Sequence, residues 1–170
     1  MRTSRMVRKV SFFLVIAILF SSIMLSGCDS EETVGFGIYL VDSGELVLSD
    51  QGIKAYHKDN HTLELNEKGI ERWNSFHTYP GIPKLDSTLF SKDFVVKLEG
   101  KEMYRGKFWS MASSAMSPDM IIYESLFKLD DENNTIRIEL GFPRPSFDSG
   151  QDPRNNPGII SFFEKRGLLK

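Results

Sequence analysis

The sequence predicts an α+β fold: a single domain with a mostly antiparallel sheet of about six strands, packed against two or three helices. Three observations lead to this prediction. Short segments of alternating apolar and polar residues recur between turn residues, two segments begin with helix-capping residues, and the last residues carry complete helix punctuation. Aromatic residues make up 12% of the 170 residues and include thirteen Phe, which is enough material for a core.

The chain begins with a segment typical of an export signal. Four cations, Arg2, Arg5, Arg8 and Lys9, precede an apolar run. This run has about sixteen residues, whereas a permanent membrane span needs about 20. Residues 25–28, Leu-Ser-Gly-Cys, resemble the lipobox of bacterial lipoproteins, in which cleavage precedes a cysteine that is then acylated, for example with palmitate. The resemblance implies that residues 1–27 are a cleaved signal peptide and that Cys28 is the lipid attachment site.

Composition limits what the mature chain can do. Removal of residues 1–27 leaves 143 residues with 17 basic and 23 acidic side chains, a net charge of −6. This balance argues against a nucleic-acid partner and against a polybasic membrane patch, so the lipid must hold the protein at the membrane. Cys28 is the only cysteine, which excludes a disulfide, a thiolate nucleophile and a cysteine-based zinc site in the domain.

The tether between lipid and domain is short. Residues 28–34 contain the acylated cysteine and a polar linker, which reaches less than about 20 Å when fully extended. We expect residues 35–170 to form one domain close to the extracytoplasmic face of the cell membrane. Asp29 resembles the signal that keeps Gram-negative lipoproteins in the inner membrane, facing the periplasm.

Strands and helices alternate at the start of the domain. Residues 36–41 are rich in aromatic and β-branched side chains and predict a strand. Two nine-residue units, 48–56 and 65–73, share one pattern: Leu, a capping residue, two polar residues, Gly-Ile, and an aromatic residue three positions later. Each unit predicts a helix, capped by Ser49 or by Asn66. A short strand is expected at 62–65.

These segments resemble a known family. Residues 46–49 with the predicted helix after them, residues 65–73, and residues 93–102 are similar to the large extracytoplasmic domain of SecD, a subunit that assists protein export. The resemblance covers about residues 36–110 and consists of caps, a turn and core positions. It implies a similar, ferredoxin-like fold, and fold alone does not carry the export function to this chain.

The middle of the domain predicts a connector and a hairpin. Residues 77–90 contain two prolines and a glycine and are expected to connect elements. Residues 94–98 and 102–108 predict a hairpin. We expect a three-residue loop, 99–101, because this register places Val96 with aromatic side chains on one face.

The end of the chain predicts two more strands and a helix. Residues 121–129 and 136–142 alternate in polarity and predict two long antiparallel strands joined at 130–134. The final helix is expected to have Asn156 as cap, Pro157 at its first position, Ile160 and Phe163 on its inner face, and Gly167 as terminator.

Catalytic and metal-binding patterns are missing from the sequence. His57 and His61 stand four apart, but Asp59 and Asn60 indicate a helix end between them and no third ligand has a fixed spacing. His77 is interpreted as a polar residue at a helix end. No serine stands in a Gly-x-Ser-x-Gly motif, and no glycine-rich phosphate loop occurs in the right context. We therefore predict no catalytic residue, no metal site and no cofactor.

One segment could contact a partner. Residues 143–155 have no periodicity, and loops this long are usually either functional or disordered. Arg144, Phe147 and Arg154 are the candidate contact residues, and a mobile connector is the alternative. The sequence thus favours a lipoprotein that carries a small, non-enzymatic binding or scaffold domain with a protein partner. Two alternatives remain: an accessory factor in protein export or envelope assembly, and a small hydrolase whose site forms only in the fold.

Overall fold

The computed structural model describes residues 34–78, 86–110, 112–117, 120–142 and 152–170. The chain divides into two units, Met1–Thr33 and Val34–Lys170, and all described residues belong to the second. The predicted signal peptide and Cys28 therefore lie outside the described residues. Within the described ranges, neither helix has the length and apolar character that crossing a membrane would require.

The described part contains ten strands and two α-helices. The strands are β1 (Phe36–Leu40), β2 (Leu46–Ser49), β3 (Ile53–His57), β4 (Thr62–Leu65), β5 (His77–Thr78), β6 (Asp86–Ser87), β7 (Asp93–Leu98), β8 (Lys101–Ser110), β9 (Ile121–Glu124) and β10 (Thr135–Glu139). The helices are α1 (Glu67–Asn74) and α2 (Pro157–Lys165). The α+β class is confirmed.

Eight strands form one mixed sheet, where the sequence predicted about six. Their order is β2-β1-β7-β8-β9-β10-β4-β3, while β5 and β6 pair separately. All pairings in the large sheet are antiparallel except that of β8 with β9, so the mostly antiparallel character is confirmed. The sheet curves far enough to resemble a barrel.

The predicted helix at 48–56 is wrong. In its place, β2 leads through a single 3-10 turn, Asp50–Gly52, into β3. Ser49 makes no capping hydrogen bond, and the Asp50 carboxylate instead accepts from Phe36 N at 3.1 Å. A Cβ at Gly69 of α1 would lie 2.1 Å from Gly52 O, so this turn and α1 pack backbone to backbone. The nine-residue repeat therefore has one pattern but two structures.

The second unit forms the predicted helix, α1. The Asn66 side chain caps it by accepting from Gly69 N at 3.1 Å. Trp73 is fully buried on the inner face, and Ile70 packs against the core from its edge. The helix therefore has the predicted cap and the predicted apolar stripe.

The β7–β8 hairpin has the predicted face but not the predicted loop. Its turn has two residues, Glu99 and Gly100, with φ of 49° and 77°. A bulge between Val96 and Lys97 restores the pairing of Val96 with Tyr104. A two-residue turn matches the twist of the strands. The bulge then shifts the register by one residue, which keeps the apolar side chains of both strands on one face.

The last predicted hairpin is shorter than expected. β9 ends at Glu124. β10 first runs alongside β4 and then pairs with β9 only at Ile121 and Ile122. β9 also lies parallel to β8, with Ser110 opposite Glu124. This arrangement brings the end of β9 to the core beside α1, and there it positions the Glu124 side chain.

Both outer strands of the sheet are covered. The Arg72 side chain of α1 donates through Nε to Leu46 O of β2 at 3.1 Å. At the other end, Leu168 O accepts from Tyr56 N of β3 at 2.7 Å, and Lys170 N donates to Tyr56 O at 2.9 Å. These contacts satisfy edge groups that would otherwise invite pairing with another chain.

Helix α2 closes the core, as the sequence predicted. Asn156 caps it by accepting from Gly158 N at 2.8 Å, and Gly167 follows it at φ 68°. Phe163 is fully buried, and its ring lies 5.0 Å from that of Phe36. Ile159, rather than the predicted Ile160, shares the buried face with Phe163.

Candidate functional site

A surface pocket of about 560 Å³ lies between α1 and the segment that follows β9. Its lining residues are Glu67, Ile70, Glu71, Asn74, Lys128, Leu129 and Asp130. Asn74 joins the two walls, because its Nδ2 donates to Leu129 O at 2.9 Å and its Oδ1 accepts from Leu129 N at 3.0 Å. This paired contact fixes the segment after β9 against the helix.

The pocket lining is acidic. It contains three carboxylates and one ammonium group. Hydrogen bonds, chiefly from the backbone N–H of Asn133, lower the pKa of Asp130 and keep it anionic. The described lining residues include no hydroxyl, thiol or imidazole group. The pocket is therefore suited to binding a cationic group.

Two exposed apolar side chains stand next to this pocket in the chain. Leu126 is 41% exposed and Phe127 is 76% exposed, and Lys128 of the pocket lining follows them directly. Large apolar side chains exposed beside a concave surface are typical of contact sites. The pocket and these two residues together form the candidate binding surface.

A buried polar cluster lies at the end of β9. We call His77, Ser87 and Glu124 the Glu124 cluster. The Ser87 hydroxyl donates to Glu124 Oε1, and His77 Nε2 lies 3.8 Å from the same oxygen. The side chains of His77 and Glu124 are 0% and 1% exposed, whereas Ser87 is half-buried. No donor among the described residues reaches Glu124 Oε2.

Burial dominates the electrostatics of the Glu124 cluster. Loss of solvent raises the pKa of Glu124 to about 7, against a smaller opposing contribution from the Ser87 hydrogen bond. Burial also lowers the pKa of His77, so that its neutral form is favoured. The His77 Nδ1 bonds to Trp73 O at 2.8 Å, and because a carbonyl only accepts, this nitrogen carries the proton. Nε2 is then the acceptor nitrogen that faces Glu124.

A second buried polar cluster joins the C-terminal segment to the sheet. We call Tyr56, His61, Asp152 and Arg154 the Arg154 cluster. Arg154 contacts Asp152 with Nη2 at 2.7 Å and donates through Nη1 to Ile138 O at 2.7 Å. His61 Nδ1 bonds to the Tyr56 hydroxyl at 2.8 Å, and its Nε2 lies 3.6 Å from Asp152. Each polar side chain here has a partner within the cluster.

Of the three residues expected to contact a partner, the structure describes one, Arg154. Arg144 and Phe147 lie outside the described residues. Arg154 is only 9% exposed, and its guanidinium points inward to Asp152 and Ile138 O. Arg154 therefore has an internal role in this structure and presents little surface to a partner.

The two histidines considered as metal ligands lie on the β3–β4 hairpin. His57 is 3.4 Å from Glu64, whereas His61 has a φ of 54° and turns inward toward Tyr56. No group of three or more metal-ligating residues occurs in the ranges that the structure describes. Asp59 and Asn60, interpreted as a helix end, instead form the turn of this hairpin.

Sequence reasoning did not identify the Glu124 cluster. One signal was available: Glu124 shares a strand face with Ile122, an apolar residue two positions earlier, and a carboxylate on an apolar face needs an explanation. Ser87 carries no such signal, because β6 has only two residues inside a proline-rich connector.

Comparison of the chain with protein-family models, with curated proteins and with solved structures found no match.

Proposed function

We propose that this protein is a membrane-anchored lipoprotein whose domain binds a protein partner on the extracytoplasmic side. The signal-like segment and the lipobox-like residues before Cys28 support the anchoring. The pocket beside α1 carries the binding part of the proposal, since it combines an acidic lining with neighbouring exposed apolar residues. The partner that fits this surface presents Lys or Arg beside an apolar side chain.

Anchoring is tested by metabolic labelling with an alkyne analogue of palmitate. We expect label on the full-length protein and recovery of the protein with membranes. Cys28→Ala should lose the label and shift the protein to the soluble fraction. Equal labelling of both forms would overturn the proposed attachment site.

Partner binding is tested by photo-crosslinking in intact cells. A photoreactive amino acid replaces Glu71 in the pocket, and in the matched control it replaces Glu102, an exposed glutamate of β8. We expect a crosslinked partner from position 71 only, and we expect Glu67→Lys to abolish it because the reversed charge repels a cation. Crosslinks of equal yield from both positions, or none from position 71, would refute the pocket as the binding surface.

A role in protein export or envelope assembly is a narrower version of this proposal. The resemblance of residues 36–110 to the SecD domain is its support. Within that range, α1 and the β7–β8 hairpin match what the resemblance implies, whereas the helix expected after residues 46–49 is replaced by a 3-10 turn and β3. Identification of the partner crosslinked at position 71 decides it: a subunit of the export machinery would support this role.

A further inference from the structure

We propose that Ser87 and Glu124 form a nucleophile and general-base pair that hydrolyses a small carboxylic ester. This proposal departs from the expectation of a non-enzymatic domain. It is independent of the pocket, because neither residue belongs to the pocket lining. Either proposal can therefore fail without the other.

The geometry meets the first requirement of such a pair. The Ser87 hydroxyl donates directly to Glu124 Oε1, which is the contact through which a base removes the proton from a nucleophile. Ser87 is half-buried and thus partly accessible to solvent, whereas the Glu124 side chain is 1% exposed. The proposal requires that a substrate reach the Ser87 hydroxyl while the base stays shielded from water, and the Ser87→Cys variant below measures that access.

The hydroxyl oxygen of Ser87 is also held in place. It accepts from Leu89 N at 3.0 Å while its hydrogen points to Glu124. Two hydrogen bonds therefore fix this side chain between β6 and β9. A nucleophile held in one orientation needs less ordering to reach the transition state.

Glu124 differs from the buried Asp50 and the half-buried Asp152, each of which has an arginine partner. Asp50 contacts Arg166 at 2.6 Å, and Asp152 contacts Arg154 at 2.7 Å. No Lys or Arg forms an ion pair with Glu124 in the described part of the chain, where the ionisable side chain within 4 Å of its carboxylate is that of His77, at 3.8 Å. A carboxylate buried without a cation lowers stability, and such costs concentrate at functional sites.

Burial raises the pKa of Glu124 to a value suited to a general base. Its pKa of about 7 lets it hold a proton or release one near neutral pH. General bases work best when their pKa lies near the working pH. An ordinary glutamate, ionised throughout this range, would accept the serine proton less readily.

The reaction balances with water as the only co-reactant. Ser87 Oγ bonds to the ester carbonyl carbon while its proton passes to Glu124. The ester C–O bond then breaks, and the leaving alcohol takes the proton from Glu124. Water next attacks the acyl-serine and gives its proton to Glu124, which returns it to Ser87 Oγ as the carboxylic acid departs.

The proposal is tested with a biotin-tagged alkyl fluorophosphonate on the full-length protein in detergent. The probe forms a bond from Ser87 Oγ to phosphorus, breaks the P–F bond and releases fluoride, with the proton passing to Glu124. We expect mass spectrometry to find the label on Ser87, at a rate that rises with pH through a midpoint near 7. Glu124→Gln should slow labelling about 100-fold.

Two controls keep the test decisive. Ser125→Ala removes the hydroxyl of a half-buried serine that donates to Phe127 O, and it should leave labelling unchanged. Ser87→Cys, treated with iodoacetamide, measures whether the position is reachable. Alkylation of this variant without fluorophosphonate labelling of the wild type would show a reachable but unactivated serine and overturn the proposal. Absence of both reactions, or labelling that Glu124→Gln does not slow, would overturn it as well.

Discussion

The Glu124 cluster and the Arg154 cluster combine the same kinds of groups, a hydroxyl, a histidine and a carboxylate, but only the second contains a guanidinium. Burial is the largest single influence on the pKa of Asp152 and acts to raise it, yet the hydrogen bonds and charge of Arg154 together lower it. Among the residues that the structure describes, no such cation offsets the burial of Glu124, and its pKa rises to about 7.

This difference separates two uses of a buried carboxylate. In the Arg154 cluster the charge is paired, and the cluster ties the segment before α2 to β10 and to the β3–β4 hairpin. In the Glu124 cluster the carboxylate is close to losing its charge at neutral pH. The first arrangement favours a fixed structure, and the second leaves a group able to exchange a proton.

Removal of the guanidinium should have the largest effect. Arg154→Met leaves Asp152 without its cation and Ile138 O without its donor, so we expect the free energy of unfolding to fall by about 3 kcal/mol. Urea denaturation at pH 7 measures this change. Arg105→Met is the matched control, because its ion pair with Glu102 is exposed and should contribute nothing measurable. Equal losses for both variants would show that the Arg154–Asp152 ion pair stabilises the protein no more than the exposed Arg105–Glu102 pair.

Removal of the Glu124 charge should have the next largest effect, and in the opposite direction. The pKa of Glu124 rises from its ordinary 4.5 to about 7 on folding, so the folded state binds the proton more tightly than the unfolded chain does. The contribution of Glu124 to the free energy of unfolding is therefore fully present below about pH 4.5 and is lost as the pH rises to about 7. Glu124→Gln avoids that loss. We expect it to be roughly 2–3 kcal/mol more stable than wild type at pH 8 and nearly equal at pH 4.5.

The measurement is the difference in unfolding free energy between wild type and Glu124→Gln across pH 4.5–8. The difference matters because burial lowers the pKa of His77 and of His61, which makes the wild type lose stability as the pH falls below their ordinary 6.5. Those histidine effects largely cancel between the two proteins. A variant that is less stable than wild type at pH 8 would show that an ionised Glu124 is favourably solvated in the folded state.

The fold was predictable where local chemistry decides the structure. Asn66 and Asn156 cap their helices as expected, since a side chain that accepts from the first turn is a local signal. The prediction for residues 48–56 failed because their apolar spacing fits a helix and two short strands equally well. Packing of Gly52 against Gly69 favours the strands joined by a turn. The parallel pairing of β8 with β9 depends on contacts between distant segments and has no local signal.

The candidate sites were less predictable than the fold. Each cluster gathers residues from segments far apart in the chain: the Ser87 to Glu124 hydrogen bond spans 37 positions, and that from Tyr56 to Arg154 spans 98. The sequence identified Arg154 as a polar residue in an irregular segment and could not show that it turns inward. Asp152, two positions away, is a possible partner in the sequence, but an arginine beside an aspartate is equally consistent with a surface contact and with a buried ion pair.

The smallest of the three stability effects should come from the Tyr56 hydroxyl. Tyr56→Phe keeps the ring against Phe163, 4.8 Å away, and removes the hydrogen bond to His61 Nδ1 together with the longer one that the hydroxyl donates to Arg154 O at 3.4 Å. We expect a loss of about 1 kcal/mol by urea denaturation. Burial raises the pKa of Tyr56 and lowers that of His61, so neither group changes its charge between pH 7 and 8, and the loss should be the same at both. A loss that changes across this interval would mean that a proton is exchanged in the Arg154 cluster too, and the contrast between a paired and an unpaired carboxylate would no longer explain the two sites.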